Sequence, residues 1–216
     1  MASLCYLIAY GMIMADQVYL YTYELGFDGN GISLAMVTRS LIIIAFIPVI
    51  NRIVKQTDKR KALLAGIAFG IIGLCAMRFA DISRVEMLAL FIFFAAVTTQ
   101  IYWQIMPAIF YDLCEYDEFE TGNRREGAIV SVQGLVEAFA VGIGSQILGI
   151  ILQLAGFDGS AQVQSQQALE WVFNCITWIP AIFLFIAGVA VYKYPITKEV
   201  YEDIMRKLKG DNNVRS

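Results

Sequence analysis

LLAGIAFGIIGLCAM, residues 63–77, has no charged side chain and no alternation of polar and apolar positions. A strand of a membrane barrel alternates between lipid and lumen at period 2, and a helix on a soluble bundle carries a polar stripe toward water. This run does neither, so it reads as a helix surrounded by apolar groups on every side. Working outward, five further runs share its character, and the six spans are placed at residues 4–23, 32–53, 62–79, 87–111, 127–154 and 171–192. Each approaches or exceeds the ~20 residues that cross a hydrocarbon core of about 30 Å at a rise of about 1.5 Å per residue. Composition agrees: 58% of the 216 residues are hydrophobic and 16% charged, a surplus that a soluble domain of this size has no place to bury. The expected fold is an all-α integral membrane protein, with a six-transmembrane-helix bundle over residues 1–193 and a short cytoplasmic tail over residues 194–216. Residues 1–5 carry no Lys or Arg and the first apolar run is of full membrane length, so the first span is expected to stay in the mature chain rather than serve as a signal peptide.

Orientation is read from Lys and Arg, which are retained on the cytoplasmic side of short loops. Arg52, Lys55, Lys59, Arg60 and Lys61 follow the second span, Arg124 and Arg125 the fourth, and Lys193, Lys198, Arg206, Lys207, Lys209 and Arg215 the sixth. The opposite side has only Arg78 and Arg84, so both termini are expected in the cytoplasm.

Several chemistries are disfavoured. The chain has no histidine, and its cysteines, Cys5, Cys75, Cys114 and Cys175, are scattered, so no Ser/His/Asp triad is available and no metal site is expected. No glycine-rich nucleotide loop appears, no nucleophile and base stand out, and neither enzymatic activity nor a nucleic acid partner is expected. Glycines serve packing instead: Gly66, Gly70 and Gly73 in the third span, and Ala138, Gly142, Ser145 and Gly149 in the fifth, form smooth faces where another helix can approach.

Polar residues within the spans carry the functional reading, because an ionisable group at the bilayer centre costs about 2.5–3.5 kcal/mol on insertion scales. Asp16 and Arg39, each about 10 Å from the outer end of its span, are expected to form a salt bridge that either fixes packing or serves transport. In the fourth span Gln100, Trp103, Gln104 and Pro107 share a face at three- and four-residue spacings. Trp103 lies about 13 Å from the cytoplasmic end of that span, and Glu137 about 15 Å from the start of the next, with Gln133 one turn below it. An indole stacks on the C–H face of a sugar ring, and carboxylates and amides meet its hydroxyls, so Trp103, Gln133, Glu137, Gln100 and Gln104 are the expected substrate contacts. The alternative is that Trp103 only packs and Glu137 bonds a neighbouring helix. At the end of the fourth span, Asp112 and Glu115 oppose the helix dipole and call for cations, with Arg52, Lys59, Arg60, Arg124 and Arg125 as candidates for structural or gating pairs.

Residues 111–138, YDLCEYDEFETGNRREGAIVSVQGLVEA, are the most specific stretch. The acidic run Asp112, Glu115, Tyr116, Asp117, Glu118, the turn Thr121, Gly122, Arg124, Arg125, Glu126, Gly127, and the helix opening with Ser131 and Gln133 resemble the signature of the glycoside-pentoside-hexuronide:cation symporters. That family, which includes the melibiose carrier, belongs to the major facilitator superfamily. The resemblance covers the chain as the C-terminal six-helix half of such a fold. It implies a bacterial cytoplasmic membrane, a sugar or glycoside substrate, alternating access, and coupling to Na+ or H+ held mainly by an absent N-terminal half. It places Trp103 and Gln133 on the sugar-facing side. The family's lysine five residues after that glutamine is replaced here by Ala138, with Glu137 beside it, so the charge logic of coupling differs. The implied partners are the lipid bilayer and either the missing N-terminal half or a second copy of the chain. Two functions are compatible with this sequence: half of a cation-coupled sugar transporter, or a non-transporting membrane interaction or sensor protein derived from one.

Overall fold

The computed structural model describes residues 1–123, 125–161, 163–194, 200, 201 and 206. Its first helix, α1 (Ala2–Tyr19), runs without a break into a π-helical turn, Leu20–Glu24. The chain turns back at Gly26, whose φ of 63° lies in the left-handed region open to a residue without Cβ. Asp28 then accepts from the Gly31 amide at 2.8 Å and starts α2 (Gly29–Gln56). Asp58 does the same for α3 (Lys59–Met77), accepting from the Arg60 amide at 2.7 Å. These carboxylates occupy amides that a helix start leaves without an internal partner, one at Asp28 and two at Asp58.

A long helix, α4 (Val85–Thr121), ends at Gly122, again with a left-handed φ of 67°. It exceeds the span expected at residues 87–111 because no helix breaker interrupts the acidic run, which continues the helix beyond the apolar segment. Next is α5 (Glu126–Leu154). The last span was expected to be continuous and is broken: α6 (Gln166–Ile176) and α7 (Trp178–Tyr192) meet at Thr177, which has φ −116° and ψ −80°. Pro180 explains the break, since it has no amide to donate to the Ile176 carbonyl and its ring crowds the preceding turn. With α6 and α7 taken together, six helices are long and apolar enough to cross a membrane, and no strand occurs among the described residues.

The helices pack in the order α2, α4, α3, α7, α1, α5, with lighter contact from α4 to α1 and α5. Burial follows that order: 67% of the apolar window of the first span is buried against 6% for α2, so α1 is the core and α2 the rim. Glycine permits the closest approaches. A Cβ on Gly73 would fall 2.1 Å from the Phe94 ring, and Gly66 and Gly70 similarly abut Ile101 and Thr98, so the glycine face of α3 packs on α4 as its spacing foretold. Between α1 and α5 the contact is backbone to backbone, a Cβ on Gly144 lying 2.4 Å from the Ile8 carbonyl. The α5 stripe expected to pack does not do so within this chain. Nothing lies within 4 Å of a Cβ on Gly142 or Gly149, and Ala138 and Ser145 are exposed, because α5 turns Val141, Gly144 and Leu148 toward α1 instead.

Candidate functional site

Because α2 and α5 stand at the two ends of the packing order, one face of α4 lies open between them, with α1 behind. Trp103 sits on that face, 40% exposed, while its sequence neighbour Tyr102 is fully buried. The indole is braced edge-on by two phenols, Tyr102 at 5.2 Å and Tyr10 of α1 at 5.8 Å between ring centroids. Edge-on bracing holds the ring while leaving part of its surface uncovered.

Glu137 of α5 lies on the α5 side of the indole. Its Oε1 accepts from Gln133 Nε2 at 2.6 Å and from the Tyr102 hydroxyl at 3.3 Å, and Tyr102 also shares a short hydrogen bond with the Ser3 hydroxyl of α1. Among the described residues no hydrogen bond reaches Oε2, which is chemically able to accept a further one. On the α2 side, Gln100 donates to Gln104 at 3.3 Å, and Gln104 donates to Asn51 of α2 at 2.7 Å. Trp103 is therefore flanked by two polar groups, a carboxylate with an amide on one side and linked amides on the other. That combination suits a polyhydroxylated ring: a plate for its C–H face, with acceptors and donors at its edges. Toward the Lys193 end of α7, a cavity of about 710 Å³ opens between α1, α4, α5 and α7, and Ser3 and Gln133 form part of its wall.

Tyr102, Tyr10, Asn51 and Ser3 were absent from the sequence-based set. Tyr102 was hidden by its apolar bulk, and Asn51 by its position next to the end assigned to the second span. Nothing in one sequence says which phenol reaches across to another helix.

The expected Asp16–Arg39 salt bridge does not form. Matching depth is insufficient because the two side chains leave their helices in different directions. Arg39 lies on α2, which packs against α4, and its Nη2 donates to Thr99 Oγ1 at 2.9 Å. On α1, the ring of Tyr10 meets Trp103 of α4. At about 100° per residue, Asp16 lies about 120° around α1 from Tyr10 and faces elsewhere. It is fully buried, and neither carboxylate oxygen has a hydrogen-bond partner among the described residues.

The charged residues at the end of α4 sort into specific pairs. Asp112 accepts from Lys59 at 2.7 and 2.8 Å. Glu115 accepts from the Tyr201 hydroxyl, and the Lys59 ammonium stands 5.4 Å above the Tyr201 ring. Arg125 holds Asp117 with two bonds, at 2.6 and 3.0 Å, and this partner holds the guanidinium pKa above its ordinary value. Arg60 instead donates to the Tyr192 carbonyl at the end of α7, where a cation complements the helix dipole. Arg52 is exposed and pairs with neither acid, being on the last turns of α2 away from α4. Arg124 lies outside the described residues.

Residues 1–198 match the sequence family described as MFS/sugar transport protein. The chain belongs to that family. Within the MFS/sugar transport proteins it is 24% identical over 213 residues to the glucuronide carrier protein homolog of Escherichia coli (strain K12), covering 99% of this chain and 46% of that protein. It is 24% identical over 208 residues to the isoprimeverose transporter of Lactiplantibacillus pentosus, covering 94% of this chain and 43% of that protein. It is also 25% identical over 198 residues to the lactose permease of Lactobacillus delbrueckii subsp. bulgaricus, covering 90% and 31%. The chain thus spans less than half the length of these curated relatives. As a family member with six apolar spans, it is a multi-pass membrane protein of the major facilitator class.

Proposed function

We propose that the chain forms the C-terminal half of a cation-coupled sugar or glycoside symporter, working by alternating access in a bacterial plasma membrane with both termini in the cytoplasm. The observation that carries this reading is the open face of α4, where the half-exposed Trp103 indole lies between the Tyr102–Glu137–Gln133 network and the Gln100–Gln104–Asn51 chain. A face open between α2 and α5 is half of a cavity. A second six-helix body, either an N-terminal half or another copy of the chain, supplies the opposite wall and most of the cation site. The names of the relatives, a glucuronide carrier homolog, an isoprimeverose transporter and a lactose permease, favour a glycoside over other small polyols.

Transport requires two discrete packings of rigid bundles. The glycine contacts of α3 with α4 and of α1 with α5 tie helices into bodies that move as units, while Lys59–Asp112 and Arg125–Asp117 are ion pairs placed to favour one packing. Uptake of labelled sugars into proteoliposomes holding the chain together with a six-helix N-terminal half tests the reading. Gradient-driven uptake whose apparent sugar affinity Trp103→Ala weakens supports it, and equal uptake by vesicles lacking the chain contradicts it.

A further inference from the structure

Asp16 is a carboxyl that the sugar site does not use. It has no exposed surface, both its oxygens lack partners among the described residues, and its neighbour Gln17 turns away to the Met14 carbonyl at 3.1 Å. An ionised carboxylate in that setting, with neither counter-charge nor hydrogen bond, is strongly disfavoured over the neutral acid. Among the described residues, no salt bridge or hydrogen bond reaches the carboxyl from the elements packed on α1. Among the described residues no three His, Cys, Asp or Glu side chains gather together.

The surrounding backbone is irregular on both sides. The π-helical turn Leu20–Glu24 begins one helical turn beyond Asp16, and the α6–α7 break at Thr177 lies two residues from Cys175. Local π turns and interrupted helices are where a membrane bundle changes shape. The two features lie on elements that pack together, since α6 contacts both α1 and the π-helical turn.

We infer that Asp16 is a proton-carrying site within this half: a neutral acid in the packing described, opened to water when α6 parts from α1 about the Thr177 break. On opening, the O–H bond of the carboxyl breaks, a water molecule takes the proton, and the carboxylate is left hydrated. Reclosure requires a proton to return, so the closed packing and proton occupancy are linked. This rests on the symporter reading and deepens it, making the proton a coupling ion carried partly by this half.

Infrared spectroscopy of the purified chain in a detergent without ester or carboxyl groups, read as wild-type-minus-variant difference spectra, tests the site directly. The wild type is expected to show the C=O stretch of a protonated carboxylic acid at neutral pH, and both Asp16→Asn and Asp16→Leu are expected to lack it. The Leu variant also keeps the test independent of any misfolding of a buried amide. Absence of the band in the wild type, or its persistence in both variants, overturns the inference. In vesicles with the N-terminal half, Asp16→Asn is expected to keep sugar exchange at equilibrium while losing about ten-fold of proton-gradient-driven accumulation, a typical size for coupling between two sites. Unchanged accumulation overturns proton coupling at Asp16. Wild-type vesicles with no uptake would instead count against the symporter reading, while the infrared result still decides the protonation of Asp16.

Discussion

Tyr102 of α4 donates to the Glu137 carboxylate of α5 at 3.3 Å while its ring meets the Trp103 indole edge-on at 5.2 Å, so a single buried phenol positions both the acid and the aromatic plate. The carboxylate belongs to a helix whose main packing partner is α1 rather than α4, and this hydrogen bond ties it to the open face.

Removing the hydroxyl with Tyr102→Phe leaves the ring packed but deprives Glu137 and Ser3 of a partner. Loss of about 1–3 kcal/mol of stability is expected, together with weaker sugar binding. Thermal unfolding in detergent and equilibrium sugar binding measure the two effects.

Trp103 has a separate role, because its exposed surface is available to a ligand rather than to the core. Trp103→Phe is expected to retain binding, and Trp103→Ala to lose about 1 kcal/mol, or about five-fold in affinity, with little change in thermal stability. Sugar titrations alongside unfolding curves distinguish this from a packing role, in which stability would fall first.

Lys59 and Asp112 join α3 to α4 with side chains 35% and 12% exposed. Lys59→Ala leaves the acid poorly hydrated, and a loss of about 1–3 kcal/mol is expected, less than for a fully buried pair. The swapped pair, Lys59→Asp with Asp112→Lys, is expected to recover part of it, as a double-mutant thermal series would show.

Gly144→Leu is expected to disrupt the bundle outright, since any Cβ there meets the Ile8 carbonyl and the α1–α5 contact has no flexible side chain to yield. Gly142→Leu, facing open space within this chain, is expected to leave the isolated chain folded. Size-exclusion profiles in detergent compare them.

The membrane class, the six spans and the glycine contact of α3 with α4 were legible because each depends on local composition or on spacing along a single helix. Gly66, Gly70 and Gly73 share a face whatever their neighbour is. Rotation of one helix against another was not legible. Asp16 and Arg39 matched in depth yet point to different neighbours, and the α5 stripe of Ala138 and Gly142 points away from α1 while Gly144 makes the contact. The break at Thr177 had a local signal in Pro180, which the length of the apolar run obscured. At the site, Trp103, Gln133 and Glu137 stood out as polar or amphipathic residues in apolar runs, whereas Tyr102 acts through a hydrogen bond that only tertiary structure supplies.

In the proposed site a sugar lies against the indole of Trp103. With Trp171→Phe and Trp178→Phe, Trp103 is the only tryptophan left in this chain, and the chain assembled with a tryptophan-free N-terminal half can be titrated with glucuronides, isoprimeverose and lactose. A saturable change in its fluorescence, with protection from an aqueous quencher, is the expected result. An emission spectrum and quenching constant unmoved by any sugar that the assembled protein transports would contradict the account.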